Sequence, residues 1–139
     1  MILIISDYHK DEKAVLNLIN KYHPDYILCC GDGESNLEFY EENNIIAVSG
    51  NCDFVNLPLV RNFELENQKI FMAHGHMHNV YFDIYKLYLA ARECGAMFVF
   101  YGHTHMQAME TYDGITFVNP GALKDGNYAI MEDGKIILK

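Results

Sequence analysis

Short apolar runs that stop abruptly at polar residues or glycines alternate, through the first half of this chain, with stretches of helical spacing. Few folds accommodate that punctuation. Ile2 to Ser6 is the first run and it ends at Asp7. A continuous apolar segment this short, closed by a polar turn, is the pattern of a strand buried on both faces of a parallel sheet. Asp11 to Tyr22 then places Ala14, Val15, Leu18 and Ile19 on one helical face, and Pro24 forbids continuation. Tyr26 to Cys30 is a second run closed by Gly31-Asp32-Gly33, Leu37 to Glu42 reads as a short helix, and Ile45 to Val48 is a third strand ending at Ser49-Gly50. Strand, helix, strand, helix, strand is the order of right-handed crossover units, so the first half is α/β.

Beyond it, Phe63 to Glu66 and Lys69 to Ala73 read as a hairpin about Asn67-Gln68, a weak turn sequence. Val80 to Glu93 is the longest helix expected, with Ile84, Leu87, Tyr88 and Ala91 on one face, and Met97 to Tyr101 is a strand stopped by Gly102. Asp113-Gly114 and Asp133-Gly134 then turn two hairpins, Met109 to Tyr112 with Ile115 to Val118, and Tyr128 to Met131 with Lys135 to Leu138. These hairpins imply a second sheet. With no repeat or linker-like stretch, residues 1–139 read as a single domain.

Charge narrows the partners. Nineteen Asp and Glu against ten Lys and Arg give a formal net charge of −9. A long nucleic-acid track needs clustered basic residues to displace counterions, and here they are scattered. An anionic substrate would need positive charge from elsewhere, which divalent cations supply. The apolar run at the amino terminus is too short for a signal peptide, and no run is long enough to cross a bilayer. Cys29, Cys30, Cys52 and Cys94 lack zinc-site spacing, so reduced thiols and a cytoplasmic location are expected.

Most of these strands end in a residue able to bind a metal. Asp7 and His9 follow the first strand, Asp32 the second, Asn51 the third, His74 the 69–73 strand, and His103 and His105 the strand after the long helix. Ligands of open α/β sheets bind beyond the carboxyl ends of strands, so residues distant in sequence can converge there. Gly31, Gly50, Gly75 and Gly102 each adjoin one of these residues, where the chain must leave the sheet sharply. Asp7 and His9, like His103 and His105, are two apart and in an extended segment project to the same side. The mixture of carboxylate, amide and imidazole suits borderline ions such as Mn, Fe, Ni or Zn better than Ca or Mg. A pair of such ions sharing one bridging carboxylate can clamp a phosphoryl group and turn a bridging water into hydroxide, so phosphate-ester hydrolysis is the natural reaction.

Singly, each residue has an ordinary structural use: Asp7 as a helix cap, Asp32-Gly33 as a turn, Asn51 in an Asx-turn. His23 and His78 are read structurally, His23 as solvated surface before Pro24. Cys52 reads as an inert small hydrophobe rather than a nucleophile. His76 either touches substrate or orients His74.

In this order the elements Asp7-Tyr8-His9, Gly31-Asp32, Gly50-Asn51-Cys52-Asp53, His74-Gly75-His76, Gly102-His103-Thr104-His105 and Asn119-Pro120-Gly121-Ala122 resemble the calcineurin-like metallophosphoesterases, in particular the small YfcE-like phosphodiesterases. The resemblance runs nearly end to end. It implies a four-layer α-β-β-α sandwich of two mixed sheets flanked by helices. It places Asp7, His9 and His105 on one metal, Asn51, His74 and His103 on the other, and Asp32 between them. Asp32, Asn51 and His74 are then the catalytic residues, manganese the first choice of metal, and a small phosphate ester, most naturally a diester, the substrate.

Many relatives carry histidine where this chain has Cys52, and a thiol cannot replace a protonated imidazole as general acid at neutral pH. The YfcE-like branch shares that cysteine. Lys10 stands where relatives often have glycine. Lys10, Cys52 and His76 are therefore expected only as minor substrate contacts. The chain is shorter than most relatives, which implies trimmed loops and an open pocket; a homodimer or higher homo-oligomer is compatible with it. Two other functions fit the same residues. One is a protein–protein scaffold of this fold that has lost turnover, as in the resembling retromer subunit. The other is a hydrolase of another bond, such as a thioester or amide. The scaffold's motifs swap the bridging Asp and the Asn, whereas Asp32 and Asn51 stand here in the enzyme arrangement.

Overall fold

In the computed structural model, which describes residues 1–139, β1 (Ile2–Ile5) is buried at every position. It lies between β2 (Tyr26–Cys29), parallel to it, and the antiparallel β9 (Ala129–Glu132). With β3 (Ile45–Ala47) and β10 (Lys135–Leu138) outside them, these strands make a first sheet in the order β10-β9-β1-β2-β3. The second sheet runs β4 (Val60–Leu65), β5 (Gln68–Ala73), β6 (Phe98–Phe100), β8 (Ile115–Asn119), β7 (Ala108–Tyr112). Its β5-β6-β8 centre is parallel and its two edges are antiparallel.

Alternation along the strands builds the layers. Ile2 and Ile4 join Leu28, Met72, Phe100 and Val118 in a core between the sheets. Leu3 and Ile5 point the other way, onto Val15 and Leu18 of α1 (Glu12–Tyr22) and Tyr40 of α2 (Leu37–Glu42). Phe71, Val99 and Phe117 do the same for the second sheet, against Leu87 and Ala91 of α3 (Tyr85–Cys94). The result is the expected four-layer α-β-β-α sandwich.

Three expectations change. The α3 helix begins at Tyr85, not Val80. Residues 75–83 are spent in turns, with His78 N–H on the Gly75 carbonyl (3.0 Å) and Phe82 N–H on that of Asn79 (3.0 Å), until the Asp83 carboxylate takes the Tyr85 N–H (3.0 Å). Val80 imitates a helix face because it is buried in the same core as Leu87. The hairpin turn falls on Glu66-Asn67, whose φ values of 50° and 63° give the doubly left-handed turn that matches strand twist. Finally, the two carboxyl-terminal hairpins do not share a sheet: β7-β8 closes the second, whereas β9-β10 returns to the first beside β1.

Candidate metal centre

Backbone hydrogen bonds tie the loop leaving β1 to that leaving β2 and the loop leaving β5 to that leaving β6, while the Asp53 carboxylate joins the loop after β3 to that after β2, and the Asp7 carboxylate joins the two pairs. Asp7 N–H donates to the Gly31 carbonyl (2.9 Å), His9 N–H to that of Asp32 (3.0 Å) and Gly102 N–H to that of His74 (2.9 Å). Asp7, His9, Asp32, His103 and His105 have φ of 53°, 42°, 55°, 70° and 63°. The paired ligands therefore converge through left-handed turns and not through extended alternation, a correction to the simple spacing argument. Backbone of this kind persists only where the surroundings over-determine it, and it clusters at functional sites. Two glycines matter for close approach: a Cβ on Gly50 would lie 2.7 Å from the carboxyl carbon of Asp32, and one on Gly102 would lie 2.6 Å from Asp7 Oδ2.

The side chains gather in two groups, Asp7 with His9 and His105, and Asp32 with His74 and His103. His105 Nε2 is 3.1 Å from Asp7 Oδ1, and His9 Nε2 is 3.6 Å from it. In the second group His74 Nε2 lies 3.1 Å from Asp32 Oδ2, 3.1 Å from Asn51 Oδ1 and 3.3 Å from His103 Nδ1. Asp32 also falls within reach of His9, which places it between the groups.

The donor set itself shows what belongs there. His74 Nδ1 sits 2.7 Å from the Cys30 carbonyl, which can only accept, so that nitrogen carries the proton. In the neutral ring Nε2 is then a lone pair aimed at two oxygens, and lone pairs facing oxygens repel. His9 repeats the arrangement, with Nδ1 2.9 Å from Glu34 Oε2 and Nε2 turned toward His105 Nε2 at 3.3 Å and toward Asp7. Asp7 Oδ1 is buried with no hydrogen-bond partner. Imidazoles held at one nitrogen by an outer acceptor, with the other converging on buried carboxylates, are what a metal site requires. The residues fit divalent cations.

Electrostatics agree. Burial alone would raise the Asp32 carboxyl, but the His74 imidazolium and the Cys52 N–H outweigh it and hold it at about 2. Burial alone would lower His74, but Asp32 and Asp7 together push it above the ordinary histidine value. A proton on His74 thus stands where a cation would lie. His103 is lowered, first by burial and then by His74, which favours the neutral imidazole that a cation could take up.

Of the minor expectations, Cys52, read as an inert small hydrophobe, lies at the surface. Its N–H donates to Asp32 Oδ1 (2.8 Å). Burial of the thiol and the negative charge of Asp32 raise its pKa, so it stays protonated. His76 packs its ring 5.4 Å from that of His74 with a buried, unpartnered Nδ1, while Lys10 is solvent-exposed. His23 is exposed, as expected, and ends α1 in a left-handed conformation.

The supporting roles of several residues escaped sequence reasoning. The Asp53 carboxylate accepts from the N–H groups of Asp32 (2.8 Å), Glu34 (2.8 Å) and Gly50 (2.7 Å). Ser6 Oγ donates to Asp7 Oδ2 (2.5 Å), and the Asn119 amide holds the Gly102 carbonyl (3.0 Å) and Thr104 Oγ1 (3.0 Å). Glu34 was signalled only by its place two residues after Asp32, and Asp53 only by closing the Gly50-Asn51-Cys52-Asp53 element.

Comparison with known proteins places this geometry. Residues 1–132 match the sequence profile of the calcineurin-like phosphoesterase superfamily domain. The probable metallophosphoesterase YsnB of Bacillus subtilis is 30% identical over 131 residues, spanning 88% of this chain and 75% of that protein. Phosphodiesterase MJ0936 of Methanocaldococcus jannaschii is 29% identical over 140 residues, spanning 85% of this chain and 81% of its own. A crystal structure of a predicted phosphoesterase from Streptococcus pneumoniae superimposes with a TM-score of 0.84 at 31% identity, over 92% of this chain and 79% of that one. With the profile covering nearly all of its length, this chain belongs to the calcineurin-like phosphoesterase superfamily.

Proposed function

We propose that the chain is a dinuclear-metal phosphodiesterase that works with manganese on small phosphate esters in a reducing cytoplasm. The observation that carries the reading is the pair of imidazoles, His9 and His74, each locked at Nδ1 and turned at Nε2 onto buried carboxylates. Asp7, His9 and His105 would hold one ion, Asn51, His74 and His103 the other, with Asp32 shared. Two divalent ions there would neutralise phosphoryl oxygens and acidify water. The chain's own contribution is to hold those ligands rigidly and to keep Asn51 exposed, where its amide can also meet substrate. Diester specificity draws support from the relative MJ0936, whose name is phosphodiesterase. All four cysteines are free and no helix is long and apolar enough to cross a membrane, which fits the location.

The direct test is hydrolysis of bis-p-nitrophenyl phosphate by protein reconstituted with Mn, Ni, Fe or Zn. Activity with at least one metal, lost on chelation, is expected; a negligible rate with all four sinks the reading. Leaving-group chemistry gives a sharper result. The protonated Cys52 thiol beside Asp32 is a poor general acid, and positioned general acids are worth about 10²–10⁴ in rate. Aryl esters are therefore expected to turn over more than about a hundredfold faster than alkyl esters. Equal rates would show that a leaving-group acid exists.

Metal binding is also expected to release protons. Because Asp32 and Asp7 raise His74 above its ordinary 6.5, its Nε2 proton is present below that raised value and must leave before the ligand forms. Affinity consequently rises with pH through this range and falls as pH drops. Titration calorimetry of Mn²⁺ into metal-free protein, in buffers of different ionisation enthalpy near neutral pH, counts the protons; heats independent of buffer would contradict the assignment.

A further inference from the structure

The loops that carry the ligands also carry large apolar side chains with no place in either outer core. Tyr81 is 70% exposed, and Phe54, Met77 and Met106 are similarly exposed. Each has a local tie to the centre. Phe54 follows Asp53, whose carboxylate holds Asp32 and Gly50; Met77 lies three residues after His74; Met106 follows His105 and bonds through its N–H to Thr104 Oγ1 (3.2 Å). Exposed apolar residues scattered singly need no explanation, but several gathered in the loops around one site do.

Tyr81 is the best defined of them. Its hydroxyl donates to the His103 carbonyl (3.1 Å), and its ring meets the His103 imidazole edge-on, with centroids 4.7 Å apart and planes at 66°. The ring is thus held at both ends of its polarity, the hydroxyl on backbone and one side against a ligand, while most of its surface faces solvent. A fixed aromatic ring loses little freedom when something stacks on it, so it is an effective platform.

We infer that Tyr81 is a specificity-determining residue that stacks on a planar aromatic group next to the reacting phosphate, so that the preferred substrates are aryl or nucleobase-bearing phosphodiesters. The inference rests on the phosphoesterase reading above. It goes further, in naming a substrate class and the residue that selects it. Purely aliphatic esters gain nothing from such a rim.

Binding of non-hydrolysable anions separates this from the chemistry. With the Mn-loaded full chain, calorimetric Kd values for phenylphosphonate and methylphosphonate compare one anion with and without a ring. The wild type is expected to favour phenylphosphonate by about threefold to tenfold, the range of a single aromatic contact. Tyr81→Ala should bring that ratio to about one while leaving the metal content and the methylphosphonate Kd unchanged. Tyr81→Phe, which keeps the ring and loses the hydroxyl, should retain most of the preference. Equal affinities in the wild type, or a preference that survives Tyr81→Ala, overturn the inference and leave the phosphoesterase reading intact. Failure of both anions to bind the Mn-loaded protein overturns both. A Tyr81→Phe variant as impaired as Tyr81→Ala, with weakened methylphosphonate binding, would show that Tyr81 merely positions His103.

Discussion

Asp32→Ala is expected to lower metal-dependent diester hydrolysis by about a thousandfold or more and to leave the protein unable to retain its full complement of metal. The reason is position. Asp32 lies 3.1 Å from His74 Nε2 on one side and groups with His9 on the other, so both ions would lose a ligand with it. Its other oxygen accepts the Cys52 N–H (2.8 Å), which orders the loop that presents Asn51. Asp32→Asn is the informative companion, because an amide keeps the shape and can still accept from Cys52 while losing the charge. It should fold like the wild type and lose nearly as much activity. Elemental analysis and rates on bis-p-nitrophenyl phosphate check both variants. A wild-type rate with a wild-type metal count in Asp32→Ala would remove Asp32 from the centre of the site.

The strands were legible because their residues obey one local rule. Ile2–Ile5 and Phe98–Phe100 are buried on both faces, and continuous apolar runs of that length have few other uses. Long-range pairing has no such local signature. Nothing within residues 129–138 states that this hairpin skips the nearer sheet and docks against β1, where Leu3 meets Ile130. The start of α3 was misplaced for a related reason: Val80 and Ile84 are apolar because they cover the outer core, and burial is compatible with turns as well as with helix.

The site divides in the same way. Its candidate ligands stand out in the sequence because each follows a strand, and strand ends can be placed from sequence. Their conformations could not be read, since the left-handed φ of Asp7, His9, His103 and His105 comes from bonds between loops, such as His9 N–H to the Asp32 carbonyl (3.0 Å). Nor could the outer partners be ranked. Glu34 and Ser6 are ordinary loop residues until the fold sets one against His9 Nδ1 and the other against Asp7 Oδ2.

Asp53 is the strongest of these hidden supports, and Asp53→Ala should lower stability and metal affinity together. Its carboxylate gathers three backbone N–H groups, those of Asp32 and Gly50 on Oδ2 and that of Glu34 on Oδ1. Hydrogen bonds to a charged acceptor are worth about 1.5–3 kcal/mol each, and donors left unpaired in a half-buried loop regain part of that from water. A net loss of about 2–4 kcal/mol is therefore expected, which for a domain of this size lowers the melting temperature by about 5–15 °C. Because the three donors belong to the loops that place Asp32, Glu34 and Asn51, metal affinity should fall at least about tenfold, the lower end for lost outer partners. Asp53→Asn should fall between. Its amide can set a carbonyl oxygen against Asp32 and Gly50 only by turning an N–H toward that of Glu34, donor against donor. Melting the metal-free protein is the decisive measurement. A residue acting only through bound metal would leave that transition unmoved, whereas a residue that ties the loops together must shift it before any ion is added.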